Sequence, residues 1–241
     1  MNNLRRRIEL ILRSQAVLNI QERLSQRRDH SLYKKLFGLD VSERSLSEYS
    51  LWDNTTCSMA LPLLELISPG SRALEVGTGP FSTLAIFLAK QMPSASIFAS
   101  DVFPRFLVSA RESVTKNQVA VNVIQSDMLE KISGTFDCIF MNPPYVSTYD
   151  LHRLGIVEGT DAYQAGCGGE VESTVILQRL LTEARDHLNV NGKIIIGINN
   201  RYLSDERVVR CITTCNLRFF ERFYEAHMVP PYSQVYIIFN R

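Results

Sequence analysis

From Ser71 onward the apolar pattern of the chain changes period again and again. Short runs rich in β-branched and aromatic residues read as strands: RALEV (72–76), ASIFAS (95–100), VNVIQ (121–125), TFDCIFM (135–141), KIIIGI (193–198), LRFFERF (217–223) and QVYIIF (234–239). Segments of helical period lie between most of them. FSTLAIFLAK (81–90) is one, and Pro104 opens another that runs to about Lys116. A long helix carries Leu177, Leu181, Ala184 and Leu188 on one face and leads to a turn at Asn191-Gly192; a further helix falls near 204–215. Parallel strands cannot be joined by tight turns, so strands that alternate with crossover helices must form a mostly parallel sheet. The strands are apolar throughout, so both faces of that sheet must be covered. The expected fold is α/β: seven strands, mostly parallel, with helices on both faces.

The first fifty residues have a different texture. Leu4, Ile8, Ile11, Leu12, Ala16, Ile20 and Leu24 recur at helical spacing with Arg and Glu between them, until Gly38 and SERSLSEYS break the pattern. This divides the chain into a helical N-terminal segment (1–50) and an α/β domain (51–241). One more helix should follow Asp53, capped by Asp53 or Asn54, and end near Ser68-Pro69-Gly70. A net charge of +1 excludes a global polycation, although Arg5-Arg6-Arg7, Arg27-Arg28 and Lys34-Lys35 are locally basic. Five scattered cysteines fit reduced thiols, and Cys211 and Cys215 lack a second Cys/His pair, so no metal site is expected. No apolar run reaches the length of a membrane span. The Arg-rich, amphipathic start is of the kind found in mitochondrial presequences, but Glu9 and Glu22 count against one. The expected protein is soluble and cytoplasmic, with no membrane partner.

In a parallel sheet of this kind, ligands bind beyond the carboxyl ends of the strands. Four polar punctuations stand there: Glu75-Val-Gly-Thr-Gly, Asp101, Ser126-Asp127 and Asn142-Pro-Pro-Tyr. The glycines at 77 and 79 allow a tight turn and close approach of a ligand. Ser82 stands where a dinucleotide fingerprint would place a third glycine, and Pro80 and Phe81 fill the helix start, which disfavours a pyrophosphate but not a smaller nucleoside. Asp101 can accept ribose hydroxyls or cap the next helix. Asp127 can meet an exocyclic amine or form a turn. The prolines at 143 and 144 remove two backbone donors and push Asn142 out of the helical region. Asn142 offers a side-chain carbonyl, Pro143 a backbone one, and Tyr145 a flat face. The ligand best suited to this mouth is planar and carries an NH2 group whose two hydrogens the two carbonyls could hold.

LEVGTG, SDVFP, QSDM and NPPY, in this order and at these strand ends, resemble the class I S-adenosylmethionine-dependent methyltransferases, from about Asp53 to the C-terminus. NPPY is similar to the form in methyltransferases that modify planar nitrogens, in particular the HemK/PrmC-type glutamine methyltransferases of translation release factors. AYQAGCGGE (162–170) resembles a small-residue loop of that group, and the N-terminal helices sit where its bacterial members carry a substrate-binding domain. The resemblance implies a Rossmann-like fold and S-adenosyl-L-methionine as cofactor. It implies that Glu75, Gly77 and Gly79 lie against the methionine portion, with Thr78 also at the cofactor, that Asp101 holds the ribose, and that Asp127 and Met128 contact the adenine. Asn142, also at the cofactor, and Pro143 would bind the target nitrogen's hydrogens, and Tyr145 would pack on the substrate.

Three positions depart from the family pattern. Phe81 replaces a usual glycine, the N-terminal segment is short, and residues 150–161 lack a Glu-Pro run of which Glu158 is the remnant. The expected substrate is a release-factor-like protein. The alternatives are an adenine N6 or guanine N2 on RNA or DNA, a small-molecule amide or amine, and a catalytically silent scaffold. His30, His152, His187 and His227 lie outside the motif set.

Overall fold

The computed structural model describes residues 37–41, 54–168, 173–223 and 233–240. Most of the helical N-terminal segment expected over 1–50, including its basic clusters, and Asp53 lie outside the described residues. The elements in chain order are α1 (Asn54–Leu66), β1 (Arg72–Val76), α2 (Thr83–Gln91), β2 (Ser96–Asp101), α3 (Pro104–Asn117), β3 (Val121–Gln125), β4 (Phe136–Met141), α4 (Thr148–Arg153), α5 (Asp161–Gly166), α6 (Val175–Arg185), β5 (Leu188–Asn199), α7 (Asp205–Thr214), β6 (Leu217–Phe223) and β7 (Ser233–Asn240). The strands form one sheet in the order β3-β2-β1-β4-β5-β7-β6. β1 pairs in parallel with both β2 and β4, whereas β7 runs antiparallel to β5 and β6. This is the Rossmann-like, seven-stranded, mostly parallel sheet that the strand–helix alternation requires.

Strand side chains alternate between two cores. Ala73, Cys138, Phe140, Ile195 and Val235 face α1 and α2 in one of them. Leu74, Ile139, Met141, Ile194, Ile196 and Tyr236 face α6 and α7 in the other. The two-residue period of a strand makes this unavoidable once the sheet is buried on both sides. α1 comes unusually close to the sheet, because Gly197 of β5 has no side chain: a Cβ there would lie 2.6 Å from both Met59 Sδ and Thr55 Cγ2. Residues 37–41 pack on the same layer. Phe37 meets the Phe87 ring edge-on at 5.4 Å, and Asn117 brackets Asp40 by accepting from its N–H and donating to its carbonyl.

Several boundaries differ from the expectation. α2 begins at Thr83 rather than Phe81, because Ser82 at its N-cap is left-handed (φ 49°) and Phe81 turns into the core. Leu188 opens β5 instead of closing α6, pairing with Phe136. Asn191-Gly192 is an irregularity inside β5: the β4 register jumps from Phe136–Leu188 to Cys138–Lys193, with Asn191 at φ 65°. Gly192 fits because a Cβ would meet Asn189 O and Phe136 O at 2.9 Å. Two short helices, α4 and α5, occupy the stretch after NPPY. Among the described residues, no helix is long and apolar enough to cross a membrane.

Candidate active site

The strand order reverses direction between β1 and β4, and an open sheet gapes at such a point. A cleft lies there, beyond the carboxyl ends of β1, β2, β3 and β4. Its lining includes Gly77 and Gly79, Asp101, Asp127 and Met128, and Asn142 with Pro144. Residues spread over 67 positions of the sequence, from Gly77 to Pro144, are thereby gathered around one space, with Phe103, Phe106, Met141 and Ile176 among its apolar walls.

The Gly-rich turn is held from behind. Gly77 and Gly79 have φ of +67° and +63°, a region that disfavours any side chain. A Cβ on Gly79 would meet nothing within 4 Å, so open space lies above it. The Thr78 N–H donates to Ser100 O at 2.9 Å, and the Gly79 N–H donates to Asp101 Oδ2 at 2.8 Å. A phosphate cradle needs such N–H groups for the ligand. Here the protein uses both, which leaves a surface suited to an uncharged nucleoside or an amino-acid moiety.

Glu75 and Thr78 are buried behind this turn and do not line the cleft. Glu75 Oε2 accepts from Thr78 Oγ1 at 2.7 Å and from the Ala85 N–H at 3.0 Å, and Thr78 Oγ1 also reaches Ser82 Oγ at 2.9 Å. Burial pushes the Glu75 carboxyl up to about 7, against the lowering effect of the Thr78 and Ala85 hydrogen bonds. Glu75 therefore ties the turn to the first turn of α2.

Asp101 is also buried, but it reaches the cleft. Burial raises its pKa, opposed by hydrogen bonds from the N–H groups of Phe103 and Gly79. Oδ1 accepts from the Phe103 N–H at 3.0 Å, so the side chain braces the turn that leads into α3, two residues on, rather than capping the helix itself. Each carboxylate oxygen has a second lone pair, which suits ribose hydroxyls.

Asp127 is half-exposed, and Arg179 of α6 donates to its Oδ1 at 2.7 Å. The same Arg179 pairs with Glu183 at 2.7 Å, and Glu183 Oε2 accepts from the Leu129 N–H at 3.0 Å. This network secures Met128, which is left-handed (φ 47°) and buried in the cleft wall. The pair Arg179–Glu183 is visible in the sequence as an i,i+4 spacing, but nothing there says that it faces Asp127.

The NPPY segment divides between cleft and core. Asn142 and Pro144 line the cleft, and Pro143 is buried. Asn142 Nδ2 donates to Thr56 Oγ1 at 3.1 Å, which orients the amide. Tyr145 does not present an open stacking face: its ring is buried in the second core, and its hydroxyl shares a 3.0 Å hydrogen bond with Thr55 Oγ1. Two adjacent threonines at the start of α1 thus hold two of the four motif residues, and no local sequence signal marks them. Gly168 closes the back, since a Cβ there would lie 2.7 Å from Pro144 O and 2.8 Å from Tyr145 Cα. His152 and His187 are absent from the cleft lining; His187 Nδ1 lies 3.0 Å from Gly134 O. His30 and His227 lie outside the described residues.

Comparison with known proteins agrees with this geometry. Residues 54–157 match the methyltransferase small domain family. A release factor glutamine methyltransferase from Lactococcus lactis is 35% identical over 130 residues, covering 53% of this chain and 47% of the relative. A ribosomal RNA small subunit methyltransferase C from Haemophilus influenzae is 30% identical over 129 residues, covering 54% of this chain and 32% of the relative. The chain thus spans about half the length, or less, of the curated relatives it matches. In three dimensions, a methyltransferase from Pyrococcus furiosus superposes with a TM-score of 0.62 at 24% identity, over 92% of this chain and 97% of that one. The seven-stranded order with its antiparallel β7 and the cleft at the switch point are those of the class I methyltransferase fold, and within it residues 54–157 match the methyltransferase small domain.

Proposed function

We propose that the chain methylates a planar NH2 nitrogen, the side-chain amide of a glutamine in a release-factor-like protein, with S-adenosyl-L-methionine as methyl donor. The observation that carries this is Asn142: the NPPY amide stands in the same cleft as Gly79, Asp101 and Asp127. When bound, S-adenosylmethionine supplies an electrophilic methyl carbon on a sulfonium. Asp101 holds the ribose hydroxyls, and Asp127 and Met128 receive the adenine. Gly77 and Gly79 admit the methionine portion, while Glu75 and Thr78 hold that turn in shape. The Asn142 side-chain carbonyl and the Pro143 carbonyl accept the two hydrogens of the target NH2. That turns the nitrogen lone pair, delocalised in a free amide, toward the cleft. Tyr145 acts as a positioning residue, fixing the loop through Thr55.

Relatives named release factor glutamine methyltransferase, 30–35% identical, favour the protein substrate. The similarity to the ribosomal RNA methyltransferases supports a second reading, a nucleobase amine, because the same two carbonyls suit either planar nitrogen. Incubation with methyl-labelled S-adenosylmethionine and cell extract separates them. Label that resists RNase and is lost to protease is the expected result; label confined to an RNase-sensitive fraction would replace the protein reading with the nucleic-acid one.

A further inference from the structure

Gln164 of α5 lines the cleft, yet it belongs to none of the strand-end motifs. Its Oε1 accepts from an Arg105 guanidinium nitrogen at 2.6 Å. A guanidinium has donors only, so the amide oxygen must be the atom that meets it, and this settles an orientation that is otherwise ambiguous for a glutamine. Nε2 is left as a pair of donors, and among the described residues it meets no acceptor.

Arg105 is itself constrained. It stands in the first turn of α3, with its guanidinium 5.5 Å from the ring centroids of both Phe103 and Phe106. Those two rings line the cleft. The far end of α5 is tied to the NPPY strand extension: the Val146 N–H donates to Gly166 O at 2.9 Å and the Gly168 N–H to Val146 O at 3.0 Å. Gln164 is therefore pinned at the start of α3, next to the carboxyl end of β2 where Asp101 sits. β2 lies between β1 and β3, and Asp127, just after β3, shares the cleft lining with Gln164.

Adenine carries an exocyclic amine flanked by ring nitrogens that only accept. Asp127 supplies an acceptor and Gln164 a donor, the complementary pair for such an edge. We propose that Gln164 is a specificity-determining residue for the base of the cofactor, its Nε2 donating to a ring nitrogen of the adenine, with Arg105 as the positioning residue that keeps this donor turned inward. The inference rests on the nucleoside-cofactor reading above.

The test is calorimetric binding of S-adenosylhomocysteine to the wild-type protein, Gln164→Glu and Arg105→Met. Glutamate keeps an oxygen for Arg105, and so keeps the latch, but it has no donor. We expect Gln164→Glu to weaken binding about tenfold, the scale of a hydrogen bond lost to an acceptor. Arg105→Met should weaken it less, about threefold, since the donor remains but is loosely held. Analogues with CH in place of N1, N3 or N7 complete the set, and the gap between wild type and Gln164→Glu should close for one of them. Unchanged or tighter binding by Gln164→Glu would make Gln164 a latch only and overturn the proposal, as would an equal gap for all four ligands. A wild-type protein that fails to bind S-adenosylhomocysteine would overturn the cofactor reading itself, a result distinct from either.

Discussion

Replacing Glu75 by glutamine should stabilise the protein, and by an amount that depends on pH. In the folded chain the Glu75 carboxyl is pushed from 4.5 up to about 7, chiefly by burial. In the unfolded chain it returns to its ordinary value. Between pH 4.5 and about 7 the folded protein therefore binds a proton that the unfolded chain has released, and stability falls as pH rises through that window. At 1.36 kcal/mol per pH unit, the whole cost above pH 7 is about 3 kcal/mol, a sizeable part of the roughly 5–15 kcal/mol that holds a domain folded. Glutamine has no charge to desolvate, and it can still accept from the Ala85 N–H and meet the Thr78 hydroxyl. Removal of the carboxylate also relieves Asp101, whose charge raises the Glu75 pKa. Urea unfolding of both proteins at pH 5 and pH 8 is the assay. The two should nearly coincide at pH 5, and Glu75→Gln should be more stable by about 2–3 kcal/mol at pH 8. A difference of equal size at both pH values would refute the argument, because it would mean that Glu75 does not titrate between them.

Two further outcomes follow from the packing around the cleft. Asn142→Ala should lower turnover by about a hundredfold or more while leaving S-adenosylhomocysteine affinity within about tenfold, because the contacts proposed for Asn142 are with the reacting nitrogen; measured kcat and Kd check this, and unchanged turnover would remove NPPY from the proposed mechanism. Gly197→Ala drives a methyl group to 2.6 Å from Met59 and Thr55, so α1 must shift, at about 1–3 kcal/mol of stability, and turnover should fall with it although Gly197 is not part of the cleft lining. Urea unfolding and a methyl-transfer assay read both effects, and an intact turnover would show that the Thr55 and Thr56 contacts are dispensable.

The alternation of strand and helix periods was enough to determine an α/β sheet covered on both faces, since period and apolarity are local properties that the chain carries wherever it goes. The same holds for the strand-end motifs, because a turn after a buried strand announces itself by glycine, proline and carboxylate. Asp101, Asp127 and Asn142 stand out in the sequence for this reason, and all three line the cleft. Other features were not local. Whether Glu75 touches a ligand or supports the turn depends on burial, and the structure puts it behind the turn. Whether Tyr145 stacks or packs depends on where α1 lies, and that rests on a missing Cβ at Gly197, more than fifty residues downstream. Leu188 fits a helical period as well as a strand, and only pairing with Phe136 decided between them. Arg105, Gln164, Arg179 and Glu183 are ordinary surface residues in the sequence. Gln164 lines the cleft, and Arg105 and Arg179 bond to residues of its lining, because helices separated in the chain converge there, and no spacing along the chain encodes that convergence.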